Sequence, residues 1–178
     1  MKKLFLSIAM VVAGAAAYAQ ISVGAYGGAA LPMGDLSDAK FKMGFGGGVS
    51  GRYWLNDNMA AGVNFGYYSM TNDLSSDFTM SFMPITAAFD YYFMTEGFKP
   101  YAGVELGLTN TTTKLTLPFL GTMENSETPF SYGIVLGAAY GLNDKMDVFG
   151  NVKYFSVATE GGTSTFLPIN VGINYKIN

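Results

Sequence analysis

The sequence of 178 residues contains neither cysteine nor histidine. Without cysteine, the chain can form no disulfide, no thiolate metal site and no lipid-modified N-terminal cysteine. Without histidine or cysteine, it can assemble neither a Ser-His-Asp nor a Cys-His catalytic arrangement. We therefore predict that the protein is not an enzyme and needs no cofactor.

Charge is also scarce, since Asp, Glu, Lys and Arg together make up 13% of the chain. Without Lys2 and Lys3, eight basic residues remain against thirteen acidic ones, which gives a net charge of −5. A surface that binds nucleic acid needs clustered basic residues. The composition therefore argues against a nucleic-acid partner.

The N-terminus has the features of a secretory signal. The pair Lys2-Lys3 precedes a short apolar run and a small-residue cleavage pattern that ends at Ala19. The run is shorter than the roughly 20 residues that a transmembrane helix needs. We predict that residues 1–19 are a cleavable signal peptide and that residues 20–178 form one domain.

An alternation of bulky and small residues is clearest in residues 130–142. One face carries large apolar side chains with aromatics near both ends: Phe130, Tyr132, Ile134, Leu136, Ala138, Tyr140 and Leu142. The other face carries small residues: Ser131, Gly133, Val135, Gly137, Ala139 and Gly141. A soluble sheet would usually bury its bulky face and turn charged residues to water. The pattern is instead typical of a strand between lipid and a narrow interior.

The same pattern recurs about eight times along the chain. The predicted strands span residues 20–31, 41–55, 59–71, 79–94, 100–110, 129–142, 146–158 and 166–177. Short turns alternate with longer connections, as in bacterial barrels with periplasmic turns and extracellular loops. We predict an all-β fold, an eight-stranded antiparallel up-and-down transmembrane β-barrel, with both termini on the short-turn side.

Aromatic residues near both ends of the strands predict two girdles at the membrane interfaces. The periplasmic girdle is predicted to contain Tyr53, Tyr91, Tyr140 and Tyr175, and the outer girdle Phe41, Tyr67, Phe130 and Tyr154. Pro84 interrupts the fourth strand because it has no amide hydrogen for the ladder. We expect a bulge there that resets the alternation between Phe82 and Ile85.

The chain resembles the small eight-stranded outer-membrane barrel family, of the OmpA-barrel, OmpX and opacity-protein type. The residues that carry the resemblance are the signal, the aromatic-bounded strands, residues 99–104 after a tight turn and the closing residues 171–175. The resemblance implies a location in the bacterial outer membrane, contact with its lipid and assembly by the barrel-insertion machinery. Members commonly finish on a terminal aromatic, whereas this chain ends with residues 175–178, Tyr-Lys-Ile-Asn.

The inward-facing positions collect most of the charges in the wall. The predicted lumen charge cluster consists of Arg52, Asp90, Glu105, Lys153, Lys42 and Asp147. Asp90 and Glu105 are expected nearly opposite each other on neighbouring strands, where two like charges need a counter-ion. Arg52 or Lys153 can supply it, and our hypothesis is an Arg52–Asp90–Glu105 cluster that plugs the lumen. The alternative is a structural network with no role in transport.

The longest connection, residues 111–128, brings apolar residues into a segment expected outside the membrane. Leu117, Phe119 and Leu120 form a possible interaction surface for an extracellular partner. Alternatively, they pack on the barrel rim, or the segment extends the hairpin above the membrane. Acidic residues in the loops could bind divalent cations, but they show no fixed ligand spacing and we predict no metal site.

These observations predict a non-enzymatic surface or envelope protein that acts through its extracellular loops and has a plugged polar lumen. The alternative function is a narrow porin-like ion channel, although eight strands leave an interior just wide enough for side chains to fill. The alternative fold is a soluble lipocalin-like barrel. That fold would place Arg52, Glu105 and Lys153 outside and leave the two aromatic bands without a purpose.

Overall fold

The computed structural model describes residues 21–73, 78–117, 121–159 and 162–177, which form nine strands and one short helix. The elements are β1 Ile21–Met33, α1 Asp35–Asp38, β2 Gly44–Asn56, β3 Met59–Thr71, β4 Phe78–Tyr92, β5 Phe98–Leu117, β6 Gly121–Glu127, β7 Phe130–Gly141, β8 Met146–Thr159 and β9 Gly162–Lys176. Within these four ranges, no helix has the length and apolar character to span a bilayer. The predicted signal peptide, residues 1–19, lies outside the described residues.

The strands close into a ring of antiparallel neighbours. Each barrel strand pairs with the next, and β9 pairs with β1 along twelve residue pairs from Ser22–Lys176 to Met33–Thr165. In the described chain, β6 pairs only with the outer part of β5, so eight strands form the wall itself. The predicted eight-stranded antiparallel barrel is confirmed.

Side chains alternate between the interior and the outer surface with period two, as the pleat requires. In β4, every second residue from Phe82 to Tyr92 is buried and the residues between them are exposed. Large apolar side chains cover the outer surface, and Val63, Leu136 and Val171 each expose more than 60% of their area. A continuous apolar belt of this kind is suited to contact with the hydrocarbon core of a lipid bilayer.

Short turns close one end of the barrel, which also carries both ends of the described chain. At the β2–β3 turn, Asn56 Oδ1 accepts hydrogen bonds of 2.9 Å from the backbone amides of Asn58 and Met59. At the β7–β8 turn, Asn143 Oδ1 binds the amides of Lys145 and Met146 in the same way. Asparagine side chains that mimic a backbone turn explain how these connections stay so short. We refer to this end as the inner end and to the opposite end as the outer end.

At the outer end, the segment 111–128 forms a hairpin instead of an irregular loop. β5 continues for 20 residues, and its outer part pairs with β6 from Thr111–Glu127 to Leu117–Gly121. Asn110 Nδ2 fixes the base of the hairpin by donating to the hydroxyl oxygens of Ser126 at 3.0 Å and Thr128 at 3.1 Å. The alternative in which this segment extends the barrel hairpin is the one that the structure adopts.

The expected bulge at Pro84 is absent from β4, and that prediction was wrong. The β4–β5 register runs without a shift from Phe78–Leu115 to Tyr92–Tyr101, and Pro84 and Phe82 both face the interior. The irregularity lies on the other side, where the ladder to β3 passes directly from Phe65–Ile85 to Tyr68–Phe82. The strand therefore accommodates the missing amide hydrogen by interrupting one ladder, and the alternation is preserved.

The aromatic girdles need one correction. Six of the predicted girdle residues expose their side chains on the outer surface: Tyr91, Tyr140, Tyr175, Tyr67, Phe130 and Tyr154. Tyr53 is half-buried on the same surface. Phe41 instead is buried, because it joins the barrel only through an isolated bridge to Asn72 and turns into the apolar packing at the outer mouth. Its assignment to the outer girdle was wrong.

Candidate functional site

The barrel interior is filled by large side chains that stand opposite small residues on neighbouring strands. Gly137 of β7 shows the principle, because a Cβ atom there would lie 2.6 Å from the ring of Tyr101 and 2.8 Å from the carbonyl oxygen of Gly150. The small face of residues 131–141 thus makes room for the large inward residues of adjacent strands. This alternation of small and large residues is how a narrow barrel fills its interior.

An outer apolar layer closes the interior near the outer mouth. It consists of Ala30, Leu36, Phe41, Tyr68, Met70, Phe82, Phe155, Val157 and Phe166. Phe166 is fully buried, and its ring centroid lies 4.8 Å from that of Phe82 and 5.4 Å from that of Phe155. Leu36 of α1 is 4% exposed, so the short helix caps this layer from outside.

A middle ionic layer, formed by Arg52, Asp90, Glu105 and Lys153, lies on the inner side of the apolar layer. Arg52 Nε lies 2.6 Å from Asp90 Oδ2, and Lys153 Nζ lies 2.6 Å from Glu105 Oε1. Both carboxylates are buried, at 2% and 3% exposure. Two basic and two acidic groups balance each other, which buried charges require.

Polar residues join the two ion pairs into one network. Arg52 Nη1 donates to Asn64 Oδ1 at 2.8 Å, Asn64 Nδ2 donates to Thr86 Oγ1 at 3.3 Å, and Thr86 Oγ1 donates to Glu105 Oε2 at 3.2 Å. The structure therefore brings Arg52, Asp90 and Glu105 together, but through two separate ion pairs rather than one bridging guanidinium. In addition, Asp90 pairs with Gly103 across the ladder and Glu105 pairs with Ala88, so the two carboxylates are diagonal and not directly opposite.

A second hydrogen-bonded chain crosses the interior beside the ion pairs. Tyr68 Oη donates to Asn170 Oδ1 at 2.9 Å, and Asn170 Nδ2 donates to Asn151 Oδ1 at 3.1 Å. Asn151 Nδ2 in turn donates to Tyr101 Oη at 3.0 Å. Because all four side chains are buried and partnered, this chain satisfies groups that would otherwise destabilise the interior.

Two members of the predicted cluster lie elsewhere. Asp147 is buried near the inner end, where its Oδ1 lies 2.6 Å from Lys99 Nζ and its Oδ2 lies 3.9 Å from Lys176 Nζ. Lys42 is exposed at the outer rim and pairs with Asp73 at 2.7 Å, so its assignment to the lumen was wrong. The strand that was expected to carry it inward begins only at Gly44.

Two cavities inside the described barrel are very small, and a larger one lies at the inner mouth. A cavity of about 20 Å³ borders the middle ionic layer, and one of about 10 Å³ lies between this layer and the outer apolar layer. Each has room for about one water molecule. A much larger cavity of about 400 Å³ opens at the inner mouth, between Trp54, Tyr92 and Lys99.

The remaining candidate residues lie at the outer end. Leu117 is the last residue of β5, whereas Phe119 and Leu120 lie outside the described residues. Over the four described ranges, the carboxylates form no group of three or more that could hold a metal ion.

Several interior residues escaped the sequence analysis. Lys99 was not assigned to the interior, because the predicted strand begins only at residue 100, and the inward Phe82, Phe155 and Phe166 were not recognised as a closure of the interior. The available signal was the presence of apolar residues on both faces of the strands near their outer ends, for example Phe155 and Val157 beside the outward Tyr154.

The family to which this architecture belongs is also identified by sequence. The profile of the family described as "Outer membrane protein beta-barrel domain" matches residues 5–176. The chain belongs to this family. It is therefore a barrel protein of the bacterial outer membrane, and its inner end, with the short turns, is periplasmic. No curated protein sequence matches the chain significantly.

Solved structures with the same fold include three small outer-membrane proteins. Neisserial surface protein A has a TM-score of 0.64 at 19% identity, covering 89% of this chain and 97% of that one. Ail, the attachment invasion locus protein of Yersinia pestis, has a TM-score of 0.59 at 17% identity, with 89% and 97% covered. OprG from Pseudomonas aeruginosa has a TM-score of 0.56 at 16% identity, with 90% and 96% covered. At these identities the likeness establishes the fold.

Proposed function

We propose that this protein is a non-enzymatic surface barrel whose interior is a structural plug and whose partners bind at the extracellular end. The outer apolar layer is the observation that carries the proposal. Its fully buried aromatic rings occupy the cross-section that a solute would have to pass, and the cavities beneath it hold about one water each.

The extracellular end offers the β5–β6 hairpin as the surface for a partner. Its outward face is polar and carries Thr112, Ser126 and the exposed ion pair between Lys114 and Glu124 at 3.1 Å. Leu117 remains part of the proposed surface, together with Phe119 and Leu120, which lie outside the described residues. Through it the protein would contact molecules outside the cell while the lipid-facing belt anchors it.

The charge of this end narrows the class of partner. The described residues beyond the membrane carry five acidic and three basic side chains: Asp35, Asp38, Asp73, Glu124 and Glu127 against Lys40, Lys42 and Lys114. One structure of Ail is a complex with the heparin analogue sucrose octasulfate. Because like charges repel, the acidic end of the present chain does not favour such a polyanion, and we propose an uncharged or basic partner.

A narrow ion channel is the alternative function, and the charged lining of the 20 Å³ cavity above an open periplasmic mouth is the observation that favours it. The two functions differ in whether the wild-type interior conducts. In the wild type, a continuous path would require displacement of the apolar rings that close the outer mouth.

Single-channel recording from the refolded protein in a planar bilayer tests the proposal. We expect no current steps from the wild type, with insertion verified by the heat-dependent shift of its mobility on gels. We expect the double variant Phe82→Ala, Phe166→Ala to conduct, because it removes two rings that pack on each other in the closure. Reproducible wild-type steps whose size changes in Lys153→Gln would instead establish the channel.

A further inference from the structure

The periplasmic mouth of the barrel forms a vestibule that is not required for closing the interior. Its volume of about 400 Å³ is within the range of small-molecule sites. Trp54 and Tyr92 line it, and their ring centroids lie 4.8 Å apart with the planes tilted by 39°. Tyr92 also stacks on Tyr101, with centroids 4.9 Å apart. Tyr92 is therefore covered by a ring on each side and is 5% exposed, so Trp54 is the aromatic side chain that the vestibule offers to a ligand.

The indole of Trp54 is held in position before any ligand arrives. Its Nε1 donates to Ser22 Oγ at 3.1 Å while its ring packs on Tyr92. Aromatic faces fixed in this way offer a flat apolar surface at little cost in conformational entropy. The C–H face of a sugar ring is a ligand surface of matching shape and polarity.

Two lysines meet one buried carboxylate beside this aromatic wall. Lys99 Nζ is 2.6 Å from Asp147 Oδ1, and the Asp147 side chain is 5% exposed. Lys176 Nζ is 3.9 Å from Asp147 Oδ2, and in the described part of the chain it makes no hydrogen bond. An ammonium group has three donors, so Lys176 is available to bind an anionic group inside the vestibule.

Residues at the rim of the vestibule carry acceptor groups for the neutral hydroxyl groups of a ligand. Asn56, Asp57 and Glu96 line the cavity from the β2–β3 and β4–β5 turns, and the two carboxylates are exposed there. Carboxylate and amide oxygens accept hydrogen bonds from hydroxyl groups. A polyhydroxylated ligand would bind to this rim through its hydroxyls.

We propose that the periplasmic vestibule is a binding site for a carboxylate-bearing saccharide. The sugar ring packs on the indole of Trp54, its hydroxyls bind the rim acceptors, and its carboxylate pairs with Lys176. Lys99 is a positioning residue for the carboxylate of Asp147, which holds the second lysine at the cavity. The site faces the periplasm and is independent of the extracellular role proposed above.

Trp54 provides the measurement, because it is the only tryptophan in the chain. The protein is placed in lipid nanodiscs, which leave both mouths accessible, and titrated with N-acetylmuramic acid while the tryptophan emission is recorded. We expect a saturable change in emission. We expect at least about tenfold weaker binding of the neutral N-acetylglucosamine, because it lacks the carboxylate that pairs with the ammonium group.

Two variants separate a specific site from a general effect of charge. Lys176→Gln should weaken the binding of N-acetylmuramic acid by about tenfold or more. Lys145→Gln removes the same charge from an exposed turn at the same end, outside the vestibule, and should bind like the wild type. Folding of each variant is verified first by its mobility on gels, and the comparison of the two sugars on the wild type does not depend on either variant.

Three results would overturn the proposal. The first is an emission that shows no saturable change with the acidic sugar, and the second is equal affinity for the acidic and neutral sugars. The third is equal binding of acetyl-trialanine, which carries a carboxylate without a sugar ring and would assign the vestibule to peptides instead.

Discussion

The outer apolar layer and the middle ionic layer fill the same barrel by different means. In the apolar layer, rings such as Phe82 and Phe166 pack without directional bonds, so the closure depends on volume. In the ionic layer, each charge needs one partner at a set distance, as in the 2.6 Å pair of Arg52 and Asp90. The difference teaches that the same narrow interior is filled by packed volume at one level and by matched charges at another.

The largest effect should come from breaking an ion pair of the middle layer. Arg52→Ala leaves the carboxylate of Asp90, which is 2% exposed, without its counter-ion, and should lower the free energy of unfolding by about 3–5 kcal/mol. Urea unfolding of the protein in lipid vesicles, followed by gel mobility, measures this loss. The double variant Arg52→Ala, Asp90→Ala should recover part of it, since no buried charge remains unpaired.

An exposed ion pair provides the control for that experiment. Lys42 and Asp73 pair at 2.7 Å, but their side chains are 60% and 57% exposed. Lys42→Ala should therefore cost less than about 1 kcal/mol. Equal losses in Lys42→Ala and Arg52→Ala would show that burial of the middle ionic layer does not matter to stability.

A somewhat smaller loss should follow from removing volume in the outer apolar layer. Val157 is fully buried there, and Val157→Ala should cost about 2–4 kcal/mol through lost apolar contact and the cavity that remains. The same unfolding assay applies, and the loss should not depend on salt. The control is Val171→Ala on the lipid-facing surface, where the side chain is 64% exposed. A larger loss at the control position would contradict the assignment of the core to the interior.

The smallest of the three losses in stability should come from adding a methyl group at an interior glycine that faces a large side chain. Gly137→Ala places a Cβ atom 2.6 Å from the ring of Tyr101 and should cost about 1–3 kcal/mol by overpacking. Gly51→Ala is the matched control, because the nearest atom to its Cβ would be Val63 Cγ2 at 3.9 Å. A difference in urea midpoint between the two variants measures the effect, and indistinguishable midpoints would show that the interior has spare room.

The architecture was predictable from sequence because one physical rule governs every strand. A residue that faces lipid is large and apolar, and its neighbours in the strand face a narrow interior, so the period of two is readable without knowledge of the pairing. This rule is less informative near the outer mouth, where both faces of the strands carry apolar residues. For that reason Phe41 was placed outside, and the closure by Phe82 and Phe166 was not foreseen.

For the charged residues, the ion-pair partner was harder to predict than whether the side chain faces the interior. Whether a side chain faces inward follows from its position in the two-residue alternation of the strand. This alternation placed four charged residues inside the barrel: Arg52, Asp90, Glu105 and Lys153. Pairing depends on the register between strands and on contacts across the interior, which composition does not encode. Lys153 reaches Glu105 from a strand that is not its neighbour in the sheet, over 48 positions in sequence.

The inner part of β5 is a strand of the barrel wall, and its outer part is one strand of the hairpin with β6. From Thr109 outward, this outer part runs for nine residues, or roughly 30 Å of extended chain. The strand is continuous across the membrane surface, so the tilt of the barrel also sets the direction of the hairpin. A partner that binds the paired strands would meet a surface that is already ordered, and little conformational entropy would be lost on association.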